Sequence, residues 1–166
     1  LVELVPEIPV RAVPAPSTTA PPERSFVLGI PTLGRVSLPW VKHLMELQGP
    51  IPSWLYIAVV QGFNVDEARE ILVDAVLAAK PRPRWLIFYG DDMLPEPSAL
   101  KVLVDCAERN DLKALSGLYA LRQAPPVQWV AWRQAARGLV KDDVDFTFGD
   151  IVQVYGCGLD FCLLRT

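Results

Sequence analysis

Short apolar runs closed by glycine or proline alternate, over the first two thirds of the chain, with stretches whose apolar residues recur every three or four positions. The run Phe26-Val27-Leu28-Gly29-Ile30, ended by Pro31-Thr32-Leu33-Gly34-Arg35, reads as a strand and its loop. Ser37 can cap a helix running to about Gln48, with Val41, Leu44, Met45 and Leu47 as its apolar face. Gly49-Pro50-Ile51-Pro52 breaks that helix, and residues 55 to 60 form a second buried strand followed by the loop Gln61-Gly62-Phe63-Asn64. From Val65 to Ala79, Leu72, Ala75, Val76 and Ala79 keep helical spacing. Trp85 to Tyr89 is uninterruptedly apolar or aromatic between Pro83 and Gly90, the signature of a strand covered on both faces. Leu100, Leu103, Val104 and Ala107 mark another helix, and residues 113 to 118 a fourth strand. After Pro125-Pro126 the pattern changes to strand-like runs at 128–132, 151–155 and 159–164, with the acidic segment 141–145 between them.

This order predicts an α/β domain over residues 25–166: a mainly parallel sheet flanked by helices, with a strand-rich C-terminal part. Residues 1–24 differ, with six prolines around Ser17-Thr18-Thr19. They predict an extended, partly polyproline tail, either a disordered leader or a segment that docks on the domain or on a protein partner.

Composition changes this picture little. The 166 residues are 51% hydrophobic and 21% charged, which excludes a disordered chain. A net charge of −3 argues against general nucleic-acid binding, since no large positive field faces a phosphate backbone. No apolar run approaches the ~18 residues of a membrane span, and the N-terminus lacks a signal-peptide pattern, so a soluble cytoplasmic protein is expected. Cys106, Cys157 and Cys162 lack paired zinc-site spacing and read as free thiols. His43, the single histidine, reads as a packed or solvated helix residue.

The chemistry concentrates where strands end. In a parallel sheet the loops after the strands meet at one edge, which here gathers 31–35, 61–64 and 90–95. Asp91 and Asp92 follow the most buried strand and offer hard oxygen ligands suited to Mg²⁺ or Mn²⁺ beside a phosphate. The competing reading makes them a turn that caps the helix starting near Pro97. Arg35 adds a guanidinium, and Arg69 either faces a diphosphate or lies solvated on its helix. Trp129 and Trp132 suit acceptor stacking or plain packing, and Arg122 suits a phosphate or only the surface. Neither GxxxxGK[ST] nor GxGxxG follows the first strand, against a P-loop enzyme or a Rossmann dehydrogenase.

Residues 26–35, the pattern Gly62-Phe63-Asn64-Val65-Asp66-Glu67-Ala68-Arg69, the run 85–97, Ser116-Gly117-Leu118-Tyr119 and the late Gly156-Cys157-Gly158-Leu159-Asp160-Phe161 stretch resemble, in order, family-2-like glycosyltransferases of the GT-A fold, bacterial and phage versions in particular. The resemblance implies a GT-A-like, Rossmann-like sheet that binds a nucleotide diphosphate sugar with a divalent metal. It implies substrate contacts at Pro31, Thr32, Arg35, Asn64, Arg69 and Asp91, with Asp92 as metal ligand. Gly90 stands where the family's first acidic residue lies, and no carboxylate matches the later acceptor-activating position.

Two functions are therefore expected. One is a glycosyltransferase moving the sugar to an acceptor the sequence does not name. The other is a catalytically inactive module serving as a binding or structural part of a larger assembly, virion-associated if of phage origin. A nucleotidyltransferase ranks third, for want of a glycine-rich first loop.

Overall fold

β1 (Phe26–Thr32) is buried along its whole length and runs between β2 (Trp54–Gln61) and β3 (Trp85–Tyr89), parallel to both. The computed structural model describes residues 26–47, 54–120, 129–135, 138–141, 147 and 149–166; of 54–56, 133–135 and 138–141 it describes the backbone alone. The tail at 1–24, Arg122 and most of the acidic segment at 141–145 lie outside the described residues.

β3 matches its expected bounds, and its side chains divide as a doubly covered strand requires. Trp85, Ile87 and Tyr89 join Phe26, Leu28 and Ile30 in one apolar cluster, under α1 (Leu38–Glu46) and α3 (Ala99–Arg109). Leu86 and Phe88 join Val27 in a second cluster on the opposite face, with Leu72 and Val76 of α2 (Val65–Ala78). Helices cover both faces because the buried runs have no polar side to leave in water.

Beyond β3 the expected parallel order stops. β4 (Ala114–Ser116) does not pair with β3. β8 (Phe161–Arg165) inserts between them, antiparallel to both, in a sheet of order β2-β1-β3-β8-β4. The sheet is mixed, not simply parallel. A smaller three-stranded sheet, order β6-β5-β7, is built from β5 (Ala131–Ala135), β6 (Gly138–Lys141) and β7 (Gly156–Cys157). The strand expected at 151–155 is irregular backbone, leading into β7 at Gly156.

Two further expectations change. α1 begins on its Ser37 cap as read, the hydroxyl accepting from the Trp40 amide at 3.3 Å. Its core face is rotated, however: Trp40 and the following Leu47 are buried with Leu44 against them, while Met45 is 82% exposed. The large indole outcompetes the thioether for the core. β2 is the edge strand of its sheet, so Ile57 and Val59 remain 54% and 57% exposed.

Candidate functional site

The parallel direction of β1, β2 and β3 delivers their following loops to one edge, and antiparallel β8 begins at that same edge. There Pro31 and Thr32 at the end of β1 with Leu33 after it, Phe63 and Val65 after β2, Gly90, Asp91 and Asp92 after β3, and Asp160 before β8 line a cleft of about 240 Å³.

Gly90 is the hub. Its amide donates to the Asp160 carbonyl at 2.7 Å, and its carbonyl accepts from the buried Trp40 indole N–H at 3.0 Å. A Cβ here would lie 3.0 Å from the Asp160 Cβ and 3.1 Å from the Met93 side chain. Asp160 and the residues of Gly90's own turn approach so closely that a larger side chain would have to push them back by a few tenths of an ångström, which favours glycine where the resemblance put a carboxylate.

Asp91 and Asp92 form a turn closed by the Met93 amide donating to the Gly90 carbonyl at 3.2 Å. They do not cap α3, whose N-cap is Ser98. Thr32, buried at the end of β1, donates its hydroxyl to Asp91 Oδ2 at 2.6 Å. The same oxygen of Thr32 accepts from the Gly34 amide at 3.0 Å, so β1's loop and the acidic turn are tied through one side chain. Gly34 holds φ +97 and packs on the Gln61 side chain, where a Cβ would collide.

Asp160 is the residue sequence reasoning left unassigned. Arg69 on α2 donates to its Oδ1 at 2.6 Å, and the Tyr119 hydroxyl donates to its Oδ2 at 3.0 Å. Burial is the main cause that pushes the Tyr119 phenol up to about 12. The available signal was Gly158 two residues upstream and an apolar run directly downstream, a loop feeding a strand. What the pattern lacked was that strand's direction.

The residues implied by sequence divide into two groups. Pro31, Thr32, Asp91 and Asp92 line the cleft, and Arg69 reaches it through Asp160. Asn64 is exposed and serves as the N-cap of α2, accepting from the Glu67 amide at 2.9 Å. Arg35 is exposed and is not among the lining residues. Trp129 and Trp132 are partly buried around Val130 and Ala131, which are buried. His43 is also partly buried, on α1.

Three carboxylates thus share one small cleft, and one of them is neutralised by Arg69. Among the described residues no set of three His, Cys, Asp or Glu side chains is arranged to hold a metal by protein ligands alone. One or two carboxylates completed by phosphate oxygens and water is an ordinary Mg²⁺ arrangement, and Asp91 and Asp92 both line the cleft. No helix among the described residues is long and apolar enough to cross a membrane.

No family model matches the chain. No curated protein matches it either. Among solved structures it is similar to A197 from STIV, a viral protein, with a TM-score of 0.58 and 22% identity over 86% of this chain. The match spans 64% of that chain. At this identity the likeness concerns the fold alone, a mixed α/β sheet flanked by helices. The resemblance to GT-A, family-2-like glycosyltransferases is corrected by this finding, since the match runs to the viral protein and nothing in the comparisons points to that family. The physical reason is generic. Any buried strand needs a breaker and polar residues where it surfaces, so short loop motifs recur in order along many alternating β/α chains.

Proposed function

We propose that the cleft binds a nucleotide diphosphate carrying a sugar, together with Mg²⁺ or Mn²⁺, and that the protein transfers the sugar to an acceptor hydroxyl. The supporting observation is the convergence of Asp91, Asp92 and Asp160 with Thr32 on one cleft at the strand ends. A diphosphate does not enter so acidic a site without a cation between the charges. Asp92 and Asp91 would hold that cation, and when bound it neutralises the leaving diphosphate. Thr32 orients Asp91 through its hydrogen bond. Phe63, Leu33 and Pro31 supply apolar wall for the nucleoside. In the transfer, the acceptor oxygen bonds to the anomeric carbon as the carbon–phosphate-oxygen bond breaks. The diphosphate keeps the electron pair, and the acceptor proton passes to Asp160.

A binding module without turnover is the second reading. It is favoured by the engagement of both Asp160 oxygens, one by Arg69 and one by Tyr119, which leaves that carboxylate no open oxygen to take a proton. Calorimetric titration with uridine and guanosine diphosphates, with Mn²⁺ and then with chelator, tests the first step of both. Cation-dependent binding is expected, weakened about tenfold, roughly 1.4 kcal/mol, by Asp92→Asn. Absence of binding by the unmutated protein overturns the site. Hydrolysis or transfer of a nucleotide sugar then separates enzyme from module.

A further inference from the structure

A positive charge beside the cleft is already engaged. Arg69 rises from the second turn of α2, its side chain 16% exposed, and places Nη2 2.6 Å from Asp160 Oδ1. Its Nη1 lies 3.8 Å from Asp66 Oδ1, a looser contact to an exposed carboxylate. Its Nε is buried without a hydrogen-bond partner. A guanidinium presents five N–H donors in a planar fork that suits two-point contact with an oxyanion. Here the pairing with Asp160 uses one side of the fork and leaves the buried nitrogen unsatisfied. Asp160 is held independently: its other oxygen takes the Tyr119 hydroxyl, its amide donates back to that hydroxyl at 3.3 Å, and its carbonyl receives the Gly90 amide. The carboxylate therefore has a fixed seat that does not depend on Arg69.

We propose that the Arg69–Asp160 pair is a latch opened by the ligand's diphosphate, an inference that rests on the nucleotide-diphosphate reading above. In the closed state Asp160 occupies the guanidinium in place of a phosphate. On binding, Arg69 turns from Asp160 Oδ1 to the phosphate oxygens, exchanging one charge-assisted contact for a forked one. Asp160 stays seated on Tyr119 and the Gly90 amide, with Oδ1 now open to the cleft. One movement thus adds a guanidinium to the diphosphate beside the metal and exposes the carboxylate that takes the acceptor proton. Until a donor is present both Asp160 oxygens are engaged, by Arg69 and by Tyr119, which disfavours its use as a base toward water.

The latch costs affinity, because binding must first break an ion pair that is only 35% exposed on its acidic side. Removing the acidic partner should therefore tighten binding while abolishing transfer. In titrations of the full chain with uridine diphosphate and Mg²⁺, Asp160→Asn is expected to bind about threefold to fivefold more tightly than the unmutated protein, the range of a partly exposed ion pair. Arg69→Gln is expected to bind at least fivefold more weakly, and Tyr119→Phe within twofold. In the unmutated protein, the Arg69 Nε–H resonance should shift on adding the same ligand, a readout that needs no variant. Binding by the unmutated protein with an unmoved Arg69 resonance, or with Asp160→Asn equal or weaker, overturns the latch alone and leaves Asp160 as a ligand or prop. Binding by neither the unmutated protein nor Asp160→Asn overturns the nucleotide reading and the latch with it.

Discussion

Thr32 shows how much of the site hangs on single side chains. Its hydroxyl donates to Asp91 and accepts from Gly34 while the residue itself is buried. Thr32→Val keeps the shape and removes both bonds, leaving a partly buried carboxylate oxygen short of a donor. A loss of about 1–3 kcal/mol in denaturant-derived stability is expected, larger than at an exposed loop threonine. Tyr119 adds a pH signature. Its folded value near 12 lies above the ordinary 10.0, so the phenol's contribution is complete below pH 10 and is lost as pH rises toward 12. Tyr89, raised further by burial, acts in the same direction. The unfolding midpoint should fall across that interval, and Tyr119→Phe should flatten the fall. The thiols differ among themselves as well. The Cys162 thiol beside it, as hydrogen-bond donor, draws Cys157 below the ordinary thiol range, while that contact and burial raise Cys162. Alkylation at neutral pH, followed by peptide mapping, should mark Cys157 well before Cys162.

At the scale of elements, α1 carries the clearest contrast. Trp40→Ala removes a buried indole and its bond to the Gly90 carbonyl, and about 3–5 kcal/mol of stability should go with it. Met45→Lys, on the exposed flank of the same helix, should change stability by less than about 0.5 kcal/mol. Comparing the two chemical-denaturation midpoints checks the rotated face. Periodicity located α1 but gave it a face of Val41, Leu44, Met45 and Leu47, of which Val41 and Met45 are exposed while the unread Trp40 is buried. α3 offered one stripe, and Leu100, Leu103, Val104 and Ala107 are all buried as read. β3 was legible to the residue because a strand covered on both sides needs no polar phase. β2 looked the same in sequence, yet it sits at an edge, and nothing in an apolar run tells an edge from a centre.

Over the whole molecule, what stayed illegible was long-range pairing. A strand at 159–164 was legible, but not that it begins only at Phe161, leaving Asp160 in the loop before it, nor that it runs antiparallel between β3 and β4. Asp160 enters the cleft only by that choice. The site's acidic pair was legible because it follows the most apolar run in the chain. Its third carboxylate was not, because it approaches from a strand's beginning instead of its end.

The placing of β8 bears on how the protein is made. A ribosome releases β1, α1, β2, α2 and β3 in an order that lets β2 and then β3 pair with a β1 already made. β4 emerges after α3 with no strand partner among them, and must wait for a strand translated some 45 residues later. Until then β3 has one open side, and its row of unpaired amides and carbonyls is an invitation to other nascent chains. Chains stalled before Phe161 should therefore be captured by holdase chaperones and cut rapidly at limiting protease, and both susceptibilities should vanish together once Arg165 has cleared the exit tunnel.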